Sequence, residues 1–253
     1  MLAKKWLTNV RSIMDKIEST QIENIKRAAA FMADSIEAGR WVHTFGCGHA
    51  TLPVEEIYPR IGGFVGFHPI IELPLTFFTR ITGEMGVHQF LFLERVEGYG
   101  VEIMKAYNFD ERDTMWLFSH SGINNVNIDV AIEARRKGMK VIAYGSAEAA
   151  RGKQTRHSSG KTIFDLADII VDTCAPAEDA SVELKNHRDK VGPVSTMAFV
   201  TAVWMTVTTV AEVLADRGVK LFIHASHNVP GDNTARDRLN EALAEYKRRV
   251  AGV

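Results

Sequence analysis

Two glycine-bearing segments carry the residue types needed to hold an anion. In Trp116-Leu117-Phe118-Ser119-His120-Ser121-Gly122-Ile123-Asn124-Asn125, an apolar run delivers two alternate hydroxyls, a glycine and amide side chains to the start of a helical pattern. Hydroxyls together with free N–H groups at a helix N-terminus can envelop a phosphate dianion. The plainer reading is a capped helix, with Ser121 or Asn124 serving only as N-cap. The second segment, His43-Thr44-Phe45-Gly46-Cys47-Gly48-His49, runs an apolar stretch into a G-x-G turn, where backbone can approach a ligand closely. A dinucleotide fingerprint requires a third glycine, and Thr51 occupies that place.

Carboxylates and histidines supply the candidates for proton transfer. Glu56 stands four residues before Arg60, as a catalytic base or as the acidic half of a surface ion pair. Glu94 and Glu97 are spaced to share one helix face, which leaves at least one of them solvated. Their spacing leaves open which of the two is the acid/base group. His157 lies in Arg156-His157-Ser158-Ser159-Gly160-Lys161, flanked by cations and hydroxyls suited to an anionic polyol. His224 and His227 form an i, i+3 pair without a nearby third ligand, so no metal site is expected. No cofactor is expected either.

The elements that position these residues alternate. A helical arm runs from Leu2 to about Ala38, with Ser19 and Thr20 as a break and cap, and Gly39 ends it. Strands are predicted at Trp41–Phe45, Thr114–Phe118, Lys140–Tyr144 and Ile169–Asp172. Helices are predicted at His49–Arg60, Glu84–Tyr107, Asn125–Lys137, Val194–Ala215 and Thr234–Arg249. This order implies βαβ units and a parallel sheet, whose carboxyl-end loops are where ligands bind. The segment Cys174–Lys190 reads as a long irregular connection.

Composition narrows the class. Lysine plus arginine (30) balances aspartate plus glutamate (31), which argues against a nucleic-acid surface built on bulk positive charge. Charges interrupt the first twenty residues too often for a signal peptide, and the most apolar stretch, Val194–Val210, carries several Ser and Thr and reads as a buried helix. Cys47 and Cys174 read as free thiols of a reducing compartment, so a cytoplasmic protein with no membrane partner is expected. No linker or repeat divides the chain. One domain over 1–253 is expected, with 1–39 as the arm and 40–253 as the α/β core and C-terminal helix.

Ser119-x-Ser121-Gly122-x-Asn124 resembles the S-x-S-G-x-T phosphate loop of the sugar isomerase (SIS) superfamily, with asparagine in place of threonine. Arg156–Lys161 and Lys190-Val191-Gly192-Pro193-Val194-Ser195-Thr196 resemble a bacterial group of uncharacterised SIS proteins. The resemblance implies a three-layer α/β fold with a five-stranded, mostly parallel sheet and helices on both faces. It implies a phosphorylated sugar as ligand and a homodimer or higher homo-oligomer. Phosphate and sugar contacts are then expected from Gly46, Gly48, His49, Ser119, Ser121, Gly122, Asn124, Arg60, Lys161, Lys190, Ser195 and Thr196. Glu56 matches the second of a glutamate pair that precedes an arginine in phosphoheptose isomerase. Val96-Glu97-Gly98 is similar to the V-E-G stretch of N-acetylmuramic acid 6-phosphate etherase, which makes Glu97 the expected acid/base group of its pair. The Thr196–Leu214 helix lacks the histidine that phosphoheptose isomerase carries there, and His157 is the expected substitute, with His49, His224 and His227 behind it. The implied activity is aldose–ketose isomerisation of a phosphosugar. Its rivals are phosphosugar elimination or ether cleavage, and phosphosugar sensing without turnover.

Overall fold

The computed structural model describes residues 1–57, 59–76 and 86–253. Helix α1 (Leu2–Glu37) is one uninterrupted rod. Ser19 and Thr20 do not break it, because their hydroxyls donate back to the carbonyls of Asp15 (2.8 Å) and Lys16 (2.6 Å). They satisfy themselves inside the helix and have no orphan N–H to cap. The rod ends where Gly39 adopts the left-handed conformation and the Arg40 N–H reaches back to the Ser35 carbonyl.

Strands β1 (Val42–Gly46), β2 (Phe67–Pro69), β3 (Thr114–Phe118), β4 (Lys140–Gly145) and β5 (Ile169–Asp172) form one sheet of order β2-β1-β3-β4-β5, every pair parallel. Alternation sorts its side chains. Trp116, Phe118, Ile142, Tyr144, Ile169 and Val171 face one side, where α1 packs against the long helix α8 (Ser195–Asp216). Met115, Leu117, Val141 and Ala143 face the other, under α4 (Tyr99–Lys105), α5 (Asn125–Arg136) and the single turn α7 (Ile163–Leu166). Helix α9 (Ala235–Val250) closes a smaller cluster in which Tyr246 meets Trp41 edge-on at 5.2 Å.

Several local expectations change. The expected helix His49–Arg60 is a 3-10 turn (Gly48–Thr51) followed by the short α2 (Leu52–Glu56). The expected helix Glu84–Tyr107 is two helices, α3 (Gly86–Leu93) and α4; its first residues, Glu84 and Met85, lie outside the described residues. The interruption runs from Glu94 to Gly98: the end of α3 tightens to i→i−3 bonds (Arg95 to Phe92, Val96 to Leu93), and Gly98 takes a left-handed conformation (φ 91°) that a helix cannot continue through. Glu94 and Glu97 therefore do not share a helix face. The fifth strand that the resemblance implies is β2, which the sequence pattern does not locate. The stretch 174–190 is also less irregular than expected: Ala180–Val182 (β6) pairs antiparallel with Val191–Pro193 (β7). This hairpin is pinned to α1 by the Trp6 indole on the Pro193 carbonyl (3.2 Å) and the Asn9 amide on the Ser181 carbonyl (2.8 Å).

Candidate functional site

After β1 the chain crosses to the edge strand β2, then returns to the opposite side of β1 as β3. The loops leaving β1 and β3 diverge there, and open α/β sheets bind ligands at such a switch point. Both loops fit only as written. A Cβ on Gly46 would stand 2.2 Å from the Ala50 carbonyl oxygen and 3.2 Å from that of Phe118. Gly122 has φ +73°, and a Cβ there would lie 2.3 Å from the Phe164 ring. The Ser119 hydroxyl accepts the Gly122 N–H (3.1 Å), which curls the second loop into α5.

Between the loops lies a cavity of about 260 Å³. Cys47 and His49 line it from the first loop; Ser119, His120, Ser121 and Asn124 line it from the second. Phe90, Leu91 and Glu94 enter from α3 and its end, Asn127 from α5, and Lys153 from the loop after α6 (Ala147–Ala150). Hydroxyls, the opening of a twelve-residue helix and an ammonium group thus share one concavity with a carboxyl group.

Burial sets the electrostatics. Glu94 is 6% exposed and, among the described residues, takes one short hydrogen bond, from the Asn124 amide at 2.5 Å. Desolvation outweighs the neighbouring Arg95 charge and raises its carboxyl to about 7, where it can both take and give a proton near neutrality. Burial lowers His49 and His120, with the Asp179 carboxylate opposing it in both cases, so both rings enter the site neutral. Their centroids are 6.2 Å apart. Burial, aided by the Glu94 charge, also raises the Cys47 thiol well above its ordinary value, and Sγ receives the Asn127 amide at 3.4 Å.

The remaining residues singled out from the sequence sit elsewhere. Glu56 is engaged by Arg60 and by the Trp204 indole N–H (3.0 Å), and the Arg60 guanidinium lies over that ring at 5.8 Å. Neither lines the cavity. Glu97 accepts the Ser158 N–H (2.9 Å) and the Ser158 hydroxyl. His157 is buried, with Nε2 3.0 Å from Asp129 Oδ1 and Nδ1 facing the N–H of Ser159 at 3.1 Å. Lys161 is exposed, and Lys190 pairs with Glu178 at 3.2 Å. Ser195 gives its N–H (2.7 Å) and hydroxyl (2.8 Å) to Asp179, which caps α8 from outside, and Thr196 is half-buried beside it. Sequence reasoning passed over Lys153 and His120 and preferred Glu97 to Glu94. One signal was available: Glu94 follows Phe90 by four residues, and its N–H still bonds the Phe90 carbonyl (2.9 Å), so the two share the inward face of α3.

Comparison with known proteins agrees with this architecture. Residues 5–146 match the SIS domain. A UPF0309 protein of Thermoanaerobacter pseudethanolicus is 30% identical over 250 residues, spanning 97% of this chain and 98% of the relative. One from Shouchella clausii is 32% identical over 226 residues, spanning 88% and 87%. Among solved structures, a phosphoheptose isomerase from Francisella tularensis superposes with a TM-score of 0.51 at 14% identity, covering 83% of this chain and 96% of that one. Another from Neisseria gonorrhoeae gives 0.50 at 12% identity, covering 83% and 97%. At such identities the likeness is one of fold. With the family match across more than half its length and full-length relatives at 30% identity, the chain belongs to the SIS domain family, alongside the UPF0309 proteins.

Proposed function

We propose that this protein binds a phosphorylated sugar in the β1/β3 cavity and interconverts its aldose and ketose forms. The observation that carries the reading is the buried Glu94 carboxyl, poised near neutrality, in the same cavity as the Ser119–Ser121 loop and Lys153. Two solved structures of this fold bear the name phosphoheptose isomerase, which supports a phosphosugar as ligand. Ser119, Ser121, Lys153 and the first N–H groups of α5 hold the phosphate, and the Gly46–Gly48 turn allows the backbone close to it. Gly122 shapes the loop, and Asn124 orients Glu94.

The proton-transfer base is thereby Glu94 and not Glu56. The Glu94 carboxylate takes the C2 proton of the open-chain aldose, the C2 electron pair forms the C1–C2 double bond, and the carbonyl oxygen becomes an enediol hydroxyl. Returning the proton to C1 completes the ketose. The exchange of the hydroxyl proton between O1 and O2 falls to His49 or His120, both neutral and both at the cavity wall. The reading includes a homodimer formed over the outward face of α8, where Met197 is 38% exposed and Trp204 is only partly buried.

Calorimetry across phosphorylated aldoses, ketoses and amino sugars identifies the ligand. Ser119→Ala combined with Ser121→Ala is expected to weaken its binding by about 1.5–3 kcal/mol per lost charge-assisted bond. NMR in deuterated water then shows exchange at the carbon-bound position. Glu94→Gln is expected to retain binding and to slow exchange by about 10²–10⁴-fold. Tight binding with no exchange in the unaltered protein would replace the isomerase by a sensor, and an unaltered affinity in the double variant removes the phosphate assignment.

A further inference from the structure

Among the described residues, the two charged groups of the cavity, Glu94 and Lys153, come from segments that no sheet holds. Glu94 ends α3 at the interruption 94–98, and Lys153 opens the loop 151–162. That loop is polar and exposed. Between 151 and 160 a single side chain, His157, is buried.

His157 reaches Asp129, a buried carboxylate on α5. Asp129 Oδ1 lies 3.0 Å from His157 Nε2, while Oδ2 accepts the N–H groups of Gly98 (2.8 Å) and Gly100 (3.1 Å). The imidazole tautomer follows from its other nitrogen. The Ser159 N–H points at Nδ1 (3.1 Å), which must therefore accept, so the ring proton is on Nε2 and is donated to Asp129. The Ser159 hydroxyl also lies on Nδ1, at 2.8 Å. On the outer side, Glu97 grips Ser158 through its N–H at 2.9 Å and through its hydroxyl. On the inner side, the opening of α5 fastens the same interruption: Asn124 holds the Glu94 carboxyl, and the Asn125 amide holds the Arg95 carbonyl (2.9 Å).

We propose that Asp129 and His157 form a clasp that joins the segment bearing Glu94 to the loop bearing Lys153, fixing how far apart the cavity's carboxyl and ammonium groups stand. Both are positioning residues, and His157 serves as a fixed Nε2–H donor instead of a proton shuttle. The inference rests on the phosphosugar reading only in giving Lys153 the phosphate and Glu94 the proton. The clasp itself is made of contacts within the chain.

Its test separates the two. His157→Asn ends at the Nδ1 position and loses the donor to Asp129, whereas His157→Gln extends an amide N–H toward the Nε2 position. Hydrogen exchange is expected to rise about 10-fold or more in 94–100 and in 153–162 together in His157→Asn, with exchange in β3 and β4 unchanged. His157→Gln should restore most of the protection. Inorganic phosphate, titrated by phosphorus NMR, is expected to bind the unaltered protein, to bind His157→Asn about 5-fold or more weakly, and to recover in His157→Gln. If the two segments exchange independently, or Asn and Gln behave alike, the clasp is wrong. If phosphate fails to bind even the unaltered protein while the segments loosen together, the clasp stands and the phosphate reading falls. Should His157→Asn not fold, Asp129→Asn removes the carboxylate from the clasp, and exchange in 153–162 that stays unchanged counts against it.

Discussion

The two ends of the sheet bury a carboxyl group each and treat it oppositely. At the amino ends of the strands, Asp113 is 1% exposed and accepts from Arg40 Nε (3.0 Å) and Nη2 (2.9 Å), from the Trp41 N–H (3.0 Å) and from the Asp110 N–H (2.7 Å). His43 Nε2 faces it at 3.4 Å, and His43 Nδ1 continues to His68 Nδ1 at 3.0 Å. Burial pushes the Asp113 carboxyl up, but the bonds from His43, Arg40 and the two backbone amides outweigh it and hold the group at about 2. At the carboxyl ends, Glu94 is about as buried and has Asn124 as its donor, and burial prevails at about 7. The number of donors, not the depth of burial, decides which carboxylate is locked and which remains available for chemistry.

The contrast can be broken from either end. The largest effect is expected from Asp113→Ala, which strands the Arg40 guanidinium and two backbone amides. A loss of about 3–5 kcal/mol in urea unfolding, with ligand affinity preserved in the folded fraction, would mark this end as structural. A variant unfolding at the unaltered midpoint would show that the network carries no weight.

Glu94→Gln should shift stability the other way. The folded carboxyl is raised from 4.5 to about 7, so its contribution is complete below pH 4.5 and is lost as the pH rises through 7. Glutamine has no such loss and can still accept from Asn124. The variant is expected to be more stable by on the order of 2 kcal/mol at pH 8 and no more stable at pH 4. Equal gains at both values would mean that packing, not ionisation, is responsible.

An effect of the opposite sign concerns His68, lowered from 6.5 to about 4 by burial first and then by His43, with Asp113 opposing. The unfolded chain takes up this proton between pH 6.5 and 4 and the folded chain does not. Stability from this group is therefore whole above 6.5 and falls toward pH 4 by up to about 1.4 kcal/mol per unit. His68→Gln should reduce the acid-side slope of stability against pH by about one proton. An unchanged slope would assign the effect to other buried histidines.

What the sequence made legible follows the range of the forces involved. The phosphate-loop candidate Ser119–Asn124 and the turn Gly46–Gly48 are local patterns, and the structure brings both to one cavity. Strand β2 is three residues long and ends in proline, too short to show a period, and it exists because β1 offers Val42, His43 and Thr44 as partners. Glu97 is the member of the pair that the family resemblance singles out, and spacing alone cannot tell which of Glu94 and Glu97 turns inward. The end of α3 at Leu93 decides that: Glu94 keeps the helical bond to the Phe90 carbonyl and turns into the cavity, while Glu97 lies beyond it in the interruption. Lys153 carries no local pattern, and its place depends on a loop tethered through His157 to a residue 28 positions away. Side-chain pairing over such separations is the part of the site that composition and periodicity do not encode.

Helices α1 and α8 pack along each other over one face of the sheet, yet residues 38–194 lie between them in the chain. On a ribosome moving at about 5–20 residues per second, the apolar stripe of α1, with Ile17, Ile25, Met32 and Ile36, waits on the order of 8–30 s for α8 to be made. The sheet can pair its strands in the order they appear, but that face stays open until late in translation. The nascent chain therefore offers a long greasy helix to chaperones or to neighbouring nascent chains, and the last long apolar segment made is the one that removes it from them.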